Sequence, residues 1–327
     1  MTHWPDLPKP FFVLAPMDDV TDIVFRDVVE RVASPDVFFT EFVSTDGLAS
    51  PGRDRVMEKL KRNPASRFPL IAQIWGKDPE LYRRAAEDIV RLGGFTGIDI
   101  NMGCPERGIV ARGCCGGLIG RFDEAEAIIR ATQQGAGKLP VSVKSRIGLD
   151  RIITEEWYGF LLQQNLAAIT IHARTVREMS KVPARWDEIA KVVKLRDKLA
   201  PKTLIIGNGD VENRGEGLKL VRETGVDGVM IGRGIFHDIF AFAADPIAHE
   251  PDEMITILLD HLDRYEAAWD DNKSFQILKK FFKVYINGWN GAADLRARLM
   301  ETTTSAEVRT ILASLPYQTS DLLEEPV

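Results

Sequence analysis

The sequence has few of the residues from which disulfide frameworks and zinc sites are built. Its 327 residues include three cysteines and five histidines, and Cys114 and Cys115 are adjacent. Adjacent cysteines bridge poorly, and the thiols lack the CxxC spacing of zinc sites. We therefore expect reduced thiols and no metal site.

Long hydrophobic runs are also missing. No stretch reaches the roughly 18 to 20 apolar residues of a membrane-spanning helix. The first residues, Met1–Pro5, lack the basic segment followed by an apolar one that a signal peptide would have. We expect a cytoplasmic monomer with no membrane partner.

Positive charge is in deficit, which at first counts against a nucleic-acid partner. The formal net charge is −6, whereas nucleic-acid binding depends on Lys and Arg that neutralise phosphates. Residues 249–327 contain 8 Lys and Arg against 14 Asp and Glu, but a basic cluster between residues 272 and 298 includes Lys279, Lys280 and Lys283. On an α-helix, Lys279 and Lys283 would share one face. This cluster is our candidate contact for a polyanion, and its alternative is a solvated helix face.

Short apolar runs alternate with segments of helical periodicity along the first 248 residues. Eight runs are predicted as strands: Phe11–Ala15, Val37–Phe42, Leu70–Trp75, Gly97–Asn101, Val141–Ser145, Ala168–His172, Thr203–Gly207 and Gly228–Ile231. Strands that are apolar on both faces and alternate with helices indicate a parallel sheet covered by helices. Eight such units match an α/β fold, the (β/α)8 TIM barrel, which typically takes ~250 residues. The competing architecture is a doubly wound open sheet, but the glycine fingerprint expected after its first strand is missing.

The strand pattern stops near residue 248. Beyond it, helical periodicity covers Glu253–Trp269, Phe275–Gly288, Ala292–Thr302 and Ala306–Leu315. We predict a barrel catalytic domain over residues 1–248 and an all-helical C-terminal domain over residues 249–327.

Polar side chains follow every predicted strand at its C-terminal end, where TIM barrels carry their active sites. The last two loops are rich in glycine, with Gly207, Gly209, Gly232 and Gly234 close to Arg233. Glycines let backbone N–H groups approach an anion, and arginine adds a charge-assisted contact. These loops therefore indicate a phosphate site, and the alternative for each glycine is an ordinary turn.

Eight strings of the sequence occur in the order and at the intervals of one flavoprotein family. They are APM, TEFV, AQIWG, DINMGCP, VSVKSRIG, IHARTVRE, IIGNGD and MIGRG. From about Phe11 to Phe236 the chain resembles the tRNA-dihydrouridine synthases of the bacterial type. The resemblance implies an FMN-binding TIM barrel, a C-terminal helical domain that binds tRNA, and NADPH as the source of electrons.

The resemblance also assigns roles to individual residues. The residues that would bind FMN are Pro16, Met17, Asp18, Gln73, Lys144, His172, Asn208, Gly209, Asp210, Gly232 and Arg233. Asn101 and Cys104 would face the uracil, and Arg146 and Arg174 would contact an anion or the substrate.

Lys144 has two possible roles. Beside the pyrimidine edge of the flavin, its positive charge would favour the anionic reduced form of the flavin. Alternatively, it pairs with a barrel carboxylate such as Asp99 or Glu41.

Cys104 is the candidate general acid. Reduction of the C5–C6 double bond of uridine requires a hydride at C6, which FMN N5 would supply, and a proton at C5. A thiol with a pKa near ~8.5 is mostly protonated at neutral pH and suits the second role. The target base would have to be flipped out of the folded tRNA to reach it. We expect Cys114 and Cys115 to be inert buried residues.

Two other functions remain open from the sequence. The chain could be an FMN barrel that reduces a free small molecule of the dihydropyrimidine or enone type, although such a substrate would not require the C-terminal helices. It could also be a tRNA-binding or folding module with little turnover, although Cys104 and Lys144 count against this interpretation.

Overall fold

The computed structural model of the chain describes residues 4–245, 248–269 and 273–315. The centre of this described part is one all-parallel sheet of nine strands. These are β1 (Phe11–Leu14), β2 (Phe38–Phe39), β3 (Val43–Ser44), β4 (Leu70–Trp75), β5 (Gly97–Met102), β6 (Val141–Arg146), β7 (Ala168–His172), β8 (Leu204–Asn208) and β9 (Gly228–Ile231). The strands are buried along almost their whole length, as expected when both faces of a parallel sheet are covered.

The sheet closes into a barrel. Neighbouring strands pair in chain order from β4 to β9, and β9 pairs in turn with β1. Between β1 and β2 the ring is joined by one parallel bridge, Val13 to Val37, in which Leu14 N donates to Val37 O at 3.1 Å. The predicted TIM barrel is confirmed, and the competing open sheet is excluded.

Helices alternate with the strands and cover the outside of the barrel. They are α1 (Ile23–Ala33), α2 (Thr45–Leu48), α3 (Arg53–Met57), α4 (Pro79–Leu92), α5 (Arg107–Ala111), α6 (Phe122–Ala136), α7 (Thr154–Leu161), α8 (Trp186–Leu199) and α9 (Arg214–Thr224). Local sequence sets the ends of α4, where Asp78 caps the N-terminus by accepting from Glu80 N at 2.8 Å and Pro79 takes the first helical position. Gly93, with φ of +67°, ends that helix.

The second predicted strand, Val37–Phe42, is wrong in one respect, because it is interrupted. Phe39 pairs with Ile71 and Val43 pairs with Ile74. The chain therefore advances four residues from Phe39 to Val43 while β4 advances three, from Ile71 to Ile74. One extra residue therefore forms a bulge, which breaks the run into β2 and β3. Thr40 stabilises the bulge, because its Oγ1 accepts from Gln73 N at 3.1 Å and donates to Glu41 O at 2.7 Å.

Among the described residues, four α-helices follow the barrel: α10 (Pro251–Trp269), α11 (Phe282–Tyr285), α12 (Ala292–Glu301) and α13 (Ser305–Ala313). The predicted α-helix over Phe275–Gly288 is wrong, because Phe275–Phe281 is a 3-10 helix and only the short α11 follows it. Residues 316–327 of the predicted C-terminal domain lie outside the described residues. Within the described part of the chain, no helix has both the length and the apolar character needed to cross a membrane.

The C-terminal helices pack directly on α1 of the barrel. The Phe25 and Phe281 rings lie 4.8 Å apart between centroids, and Lys273 Nζ donates to Asp22 Oδ2 at 2.7 Å. Both members of this ion pair are largely buried, with 15% and 5% of the side chains exposed. The C-terminal helices are therefore held against the same end of the barrel as the loop that follows β1.

Candidate active site

A cavity of about 540 Å3 opens at the C-terminal ends of the strands. Its volume is in the usual range of ligand pockets, about 300 to 1,000 Å3. Thirteen of the predicted site residues line it, and they are Pro16, Met17, Asn101, Cys104, Lys144, Arg146, His172, Arg174, Asn208, Gly209, Asp210, Gly232 and Arg233. Strands that are far apart in the sequence thus deliver one group of polar side chains to one place.

The loop after β8 has a backbone that few residues tolerate. Gly209 has φ of +125°, and a Cβ there would lie 2.9 Å from the Ala184 Cβ and 3.3 Å from the His172 ring. Asp210 follows with φ of +52°. Non-glycine residues in this region cost roughly 1 to 3 kcal/mol and persist where their surroundings hold them. At Asp210 the carboxylate accepts from Ala184 N at 2.9 Å and from Arg174.

Arg174 fixes the state of His172. Arg174 is 2% exposed, and its NH1 lies 3.2 Å from His172 Nε2. Guanidinium groups only donate, so Nε2 must accept and the imidazole must be neutral with its proton on Nδ1. Burial, followed by the charges of Arg146 and Lys144, lowers the pKa of His172 well below its usual value. His172 is thus a neutral hydrogen-bonding group at neutral pH.

Lys144 is anchored to the next strands rather than to a carboxylate. Its Nζ donates to Asn208 Oδ1 at 3.0 Å, and Asn208 Nδ2 donates to Met230 O at 2.9 Å. Burial, with a contribution from Arg146, lowers the pKa of Lys144 to about 8. The predicted alternative of direct pairing with Asp99 or Glu41 is not what the hydrogen bonds show.

Asn101 shapes the loop that carries Cys104. Its Oδ1 accepts from both Gly103 N and Cys104 N at 3.0 Å, so the chain turns sharply after β5. Gly116 N donates to Cys104 O at 3.3 Å and ties the loop to the 3-10 helix Cys115–Leu118. The polar atoms of Asn101 thus hold the loop, and this residue is 6% exposed at the cavity wall.

Cys104 differs from the other two thiols in its exposure. It is half-buried and lines the cavity, whereas Cys114 and Cys115 are 4% and 0% exposed. Burial raises the pKa of Cys104, and the nearby charge of Arg146 partly opposes this effect. The thiol is therefore protonated at neutral pH.

Arg146 lines the cavity and donates to backbone carbonyl groups of two loops. Its Nε donates to Gly103 O at 2.8 Å, and its NH1 donates to Thr175 O at 3.1 Å and Met179 O at 2.8 Å. Burial lowers the pKa of this arginine to about 10, which leaves it charged at neutral pH. Arg146 therefore joins the Cys104 loop to the loop after β7, a contact that its position in the sequence does not reveal.

Two predicted cofactor residues lie outside the cavity lining. Gln73 is 0% exposed inside the barrel, where Asn101 Nδ2 donates to its Oε1 at 3.0 Å. Asp18 lines a separate side cavity of about 850 Å3 together with Asp19 and Glu41, and it forms an ion pair with Lys59. The side cavity lies between the barrel loops and the C-terminal helices.

The sequence reasoning missed several residues that line the main cavity, among them Phe42, Ser180, Glu212 and His237. Phe42 lies inside the TEFV string and His237 shortly after MIGRG, so proximity to the strand ends was a usable signal for both. Ser180 lies eight residues beyond the end of β7, where the sequence carries no such signal.

Comparison with known proteins places the chain. The model of the dihydrouridine synthase (Dus) family matches residues 13–320. The chain belongs to the dihydrouridine synthase family. A "Probable tRNA-dihydrouridine synthase" of Staphylococcus aureus (strain Mu50 / ATCC 700699) is 46% identical over 320 residues, which are 96% of each chain. "Probable tRNA-dihydrouridine synthase 2" of Bacillus subtilis (strain 168) is 44% identical over 324 residues, 98% of each chain.

Solved structures agree with this family member in fold. Morphinone reductase superposes with a TM-score of 0.55 at 13% identity, covering 76% of this chain and 90% of that chain. Its complex with tetrahydroNAD gives a TM-score of 0.52 at 13% identity, over 76% and 91%. At such low identity the likeness shows the fold alone.

The three lysines predicted to bind tRNA lie on the 3-10 helix Phe275–Phe281 and on α11. Lys279 Nζ donates to Met300 O at 2.8 Å, and Lys280 Nζ donates to Asp19 O at 3.0 Å. Lys283, on α11, is exposed. The expected shared face of Lys279 and Lys283 assumed one α-helix, whereas Lys279 lies in the 3-10 helix and Lys283 in α11. Lys280 is the lysine that reaches the active-site side of the barrel.

Proposed function

We propose that this chain reduces specific uridines of the tRNA D-loop to dihydrouridine, with FMN as cofactor, NADPH as reductant and Cys104 as the general acid. One observation carries the proposal: a half-buried thiol, whose pKa burial raises, lies on a hydrogen-bonded loop at the wall of a cavity rich in cationic groups. Membership of the dihydrouridine synthase family supports the reaction class.

The cavity residues fit a flavin mononucleotide. Lys144 and neutral His172 offer a cation and a hydrogen-bonding ring, and Arg233 is 63% exposed at the rim, where it can meet a phosphate. The residues that would hold the cofactor are Pro16, Met17, Lys144, His172, Asn208, Gly209, Asp210, Gly232 and Arg233. When bound, FMN supplies the hydride for C6 of the uracil after reduction by NADPH.

The protein supplies the proton and the position of the base. Cys104 Sγ keeps its proton at neutral pH and donates it to C5 as the double bond is reduced. Asn101 and Gly116 fix the Cys104 backbone, so the thiol faces the cavity at a defined place. The protonated thiol is regenerated by solvent after each turnover.

We place the tRNA across the cavity mouth, in contact with the C-terminal helices. Flipping a base costs a few kcal/mol, which phosphate contacts to basic residues must offset. Lys279, Lys280 and Lys283 are our candidates for these contacts, together with Arg174 at the cavity itself. In this proposal residues 1–248 are the catalytic domain and residues 249–327 the tRNA-binding domain.

The test compares Cys104→Ala with Cys114→Ala, a matched change at a buried thiol. We expect purified wild-type protein to be yellow and to be bleached by NADPH. Cys104→Ala should retain flavin and tRNA binding but lose dihydrouridine formation by about 100-fold or more, because general acids contribute 10² to 10⁴ in rate. Cys114→Ala should stay active. Full activity of Cys104→Ala would assign the acid elsewhere, and a colourless protein that fails to bind FMN would remove the enzyme proposal.

A further inference from the structure

Three polar side chains form a buried row inside the barrel, beneath the Cys104 loop. Gln73 on β4 pairs in register with Asp99 on β5, and Asp99 pairs with Ser142 on β6. Their exposed fractions are 0%, 0% and 1%. A buried polar group is costly unless it is hydrogen-bonded, so the partners of this row indicate what it does.

Asp99 sets the direction of the hydrogen bonds in this row. Burial raises the pKa of its carboxyl to about 6, against the opposing effects of Ser142, Gln73 and the charge of Lys144. Above that pH the carboxylate only accepts hydrogen bonds. Ser142 Oγ donates to Oδ1 at 2.6 Å, and Gln73 Nε2 donates to Oδ2 at 2.7 Å.

Asp99 thereby determines how the side-chain amides of Gln73 and Asn101 are oriented toward the Cys104 loop. Because Gln73 turns its NH2 group to Asp99, its Oε1 is left to accept from Asn101 Nδ2 at 3.0 Å. Asn101 must then present Oδ1 to the N–H groups of Gly103 and Cys104. If Asn101 turned over, its NH2 group would face two other donors, and both loop hydrogen bonds would be lost.

We propose that Asp99 is a positioning residue that orients Gln73 and Asn101 in series and thereby holds the loop that carries Cys104. The inference rests on the proposed function only for the role of the thiol. Arg146 and Gly116 bind the carbonyl groups of this loop, whereas the relay from Asp99 binds its N–H groups. Gln73, which the family resemblance assigned to FMN, is the middle of this relay.

The first test is Gln73→Met, which keeps the length of the side chain and removes the amide oxygen and nitrogen that bond to Asn101 and Asp99. We expect kcat to fall about 10-fold or more, because small misplacements of reacting groups cost up to 10²-fold. The KM for tRNA and the flavin content should stay within about 2-fold of wild type, since Gln73 is buried and lies outside the cavity lining. Thr170→Val is the matched control: Thr170 is a buried polar residue of β7, its Oγ1 has no hydrogen-bond partner among the described residues, and it is not part of the relay, so this variant should preserve kcat.

A second variant, Gln73→Glu, tests the direction of the hydrogen bonds between Asp99, Gln73 and Asn101, because it changes the packing little. The introduced carboxylate can still accept from Asn101, but it must share a proton with Asp99, since two adjacent carboxylates resist joint ionisation. The groups facing this pair are Ser142 and Lys144 on β6. We expect kcat of this variant to decline with rising pH in a range where wild-type kcat is constant.

Alkylation of Cys104 by iodoacetamide, followed by peptide mapping, gives a readout that needs no turnover. Release of the loop in Gln73→Met should expose the thiol and raise its alkylation rate about 3-fold or more, because thiol reactivity follows access as well as pKa. Wild-type kcat and alkylation in Gln73→Met would overturn the relay. Loss of flavin with unchanged alkylation would return Gln73 to the cofactor site. If wild type forms no dihydrouridine at all, the proposed function fails, and the alkylation experiment still decides the relay.

Discussion

Replacement of Arg146 by methionine should destabilise the protein and change the acidity of Cys104 together. The substitution removes hydrogen bonds to Gly103 O, Thr175 O and Met179 O at 2.8, 3.1 and 2.8 Å. Hydrogen bonds from a charged donor contribute roughly 1.5 to 3 kcal/mol each, and relief from burying the guanidinium offsets part of the loss. We expect the free energy of unfolding in urea to fall by about 3 kcal/mol.

The charge of Arg146 opposes the rise in the Cys104 pKa that burial causes. Without this charge the thiol pKa should increase, so the midpoint of the pH dependence of Cys104 alkylation should move to higher pH in Arg146→Met. Arg146→Lys keeps the charge and should leave the midpoint near that of wild type while still losing stability. A stability loss below about 1 kcal/mol in Arg146→Met, with an unchanged midpoint, would refute the role assigned to this arginine.

The control for stability is Arg185→Met, in the loop after β7. Arg185 pairs with Glu178 at 2.7 Å, and the two side chains are 33% and 24% exposed. Partly exposed ion pairs contribute about 1 kcal/mol or less. This variant should therefore lose far less stability than Arg146→Met.

Two further predictions concern charges at the barrel and at the C-terminal helices. Lys144 has its pKa lowered to about 8 from 10.5, so the folded chain binds fewer protons than the unfolded chain between these values and the free energy of unfolding rises with pH there. Lys144→Met should flatten this rise in urea titrations at successive pH values, and an unchanged slope would contradict the assignment. Lys283→Glu should weaken tRNA binding and reduce the slope of log Kd against log salt concentration by about 1 to 2. The control, Lys194→Glu on the outer helix α8, should change neither quantity. Equal effects of the two variants would remove Lys283 from the tRNA-binding surface.

The barrel could be predicted from the sequence because eight short segments rich in aliphatic and β-branched residues alternate with helical segments, although β5 and β6 also contain polar residues such as Asp99 and Lys144. The bulge after Phe39 could not, since it is visible only in the register against β4, and the sequence of the second strand does not give that register. The 3-10 helix had a signal that was not used: Phe275, Leu278 and Phe281 are three residues apart, which is the period of that helix.

Polar residues at the strand ends predicted where the cavity lies, but the sequence does not show in which layer of the barrel each side chain lies. Gln73 is in register with Asp99, one layer below the pair formed by Asn101 and Lys144. Register between strands is a property of the closed sheet, so the two levels look alike in the sequence. For the same reason the hydrogen bonds from Arg146 to the carbonyl groups of two loops could not be predicted from the sequence.

Glu41 and Phe42, between β2 and β3, lie against different cavities at the top of the barrel. Glu41 faces the side cavity beside Asp19, whose N–H it accepts at 2.7 Å, whereas the next residue, Phe42, faces the main cavity. Two consecutive side chains thus belong to two compartments: a charged one under the C-terminal helices and the one that contains Cys104.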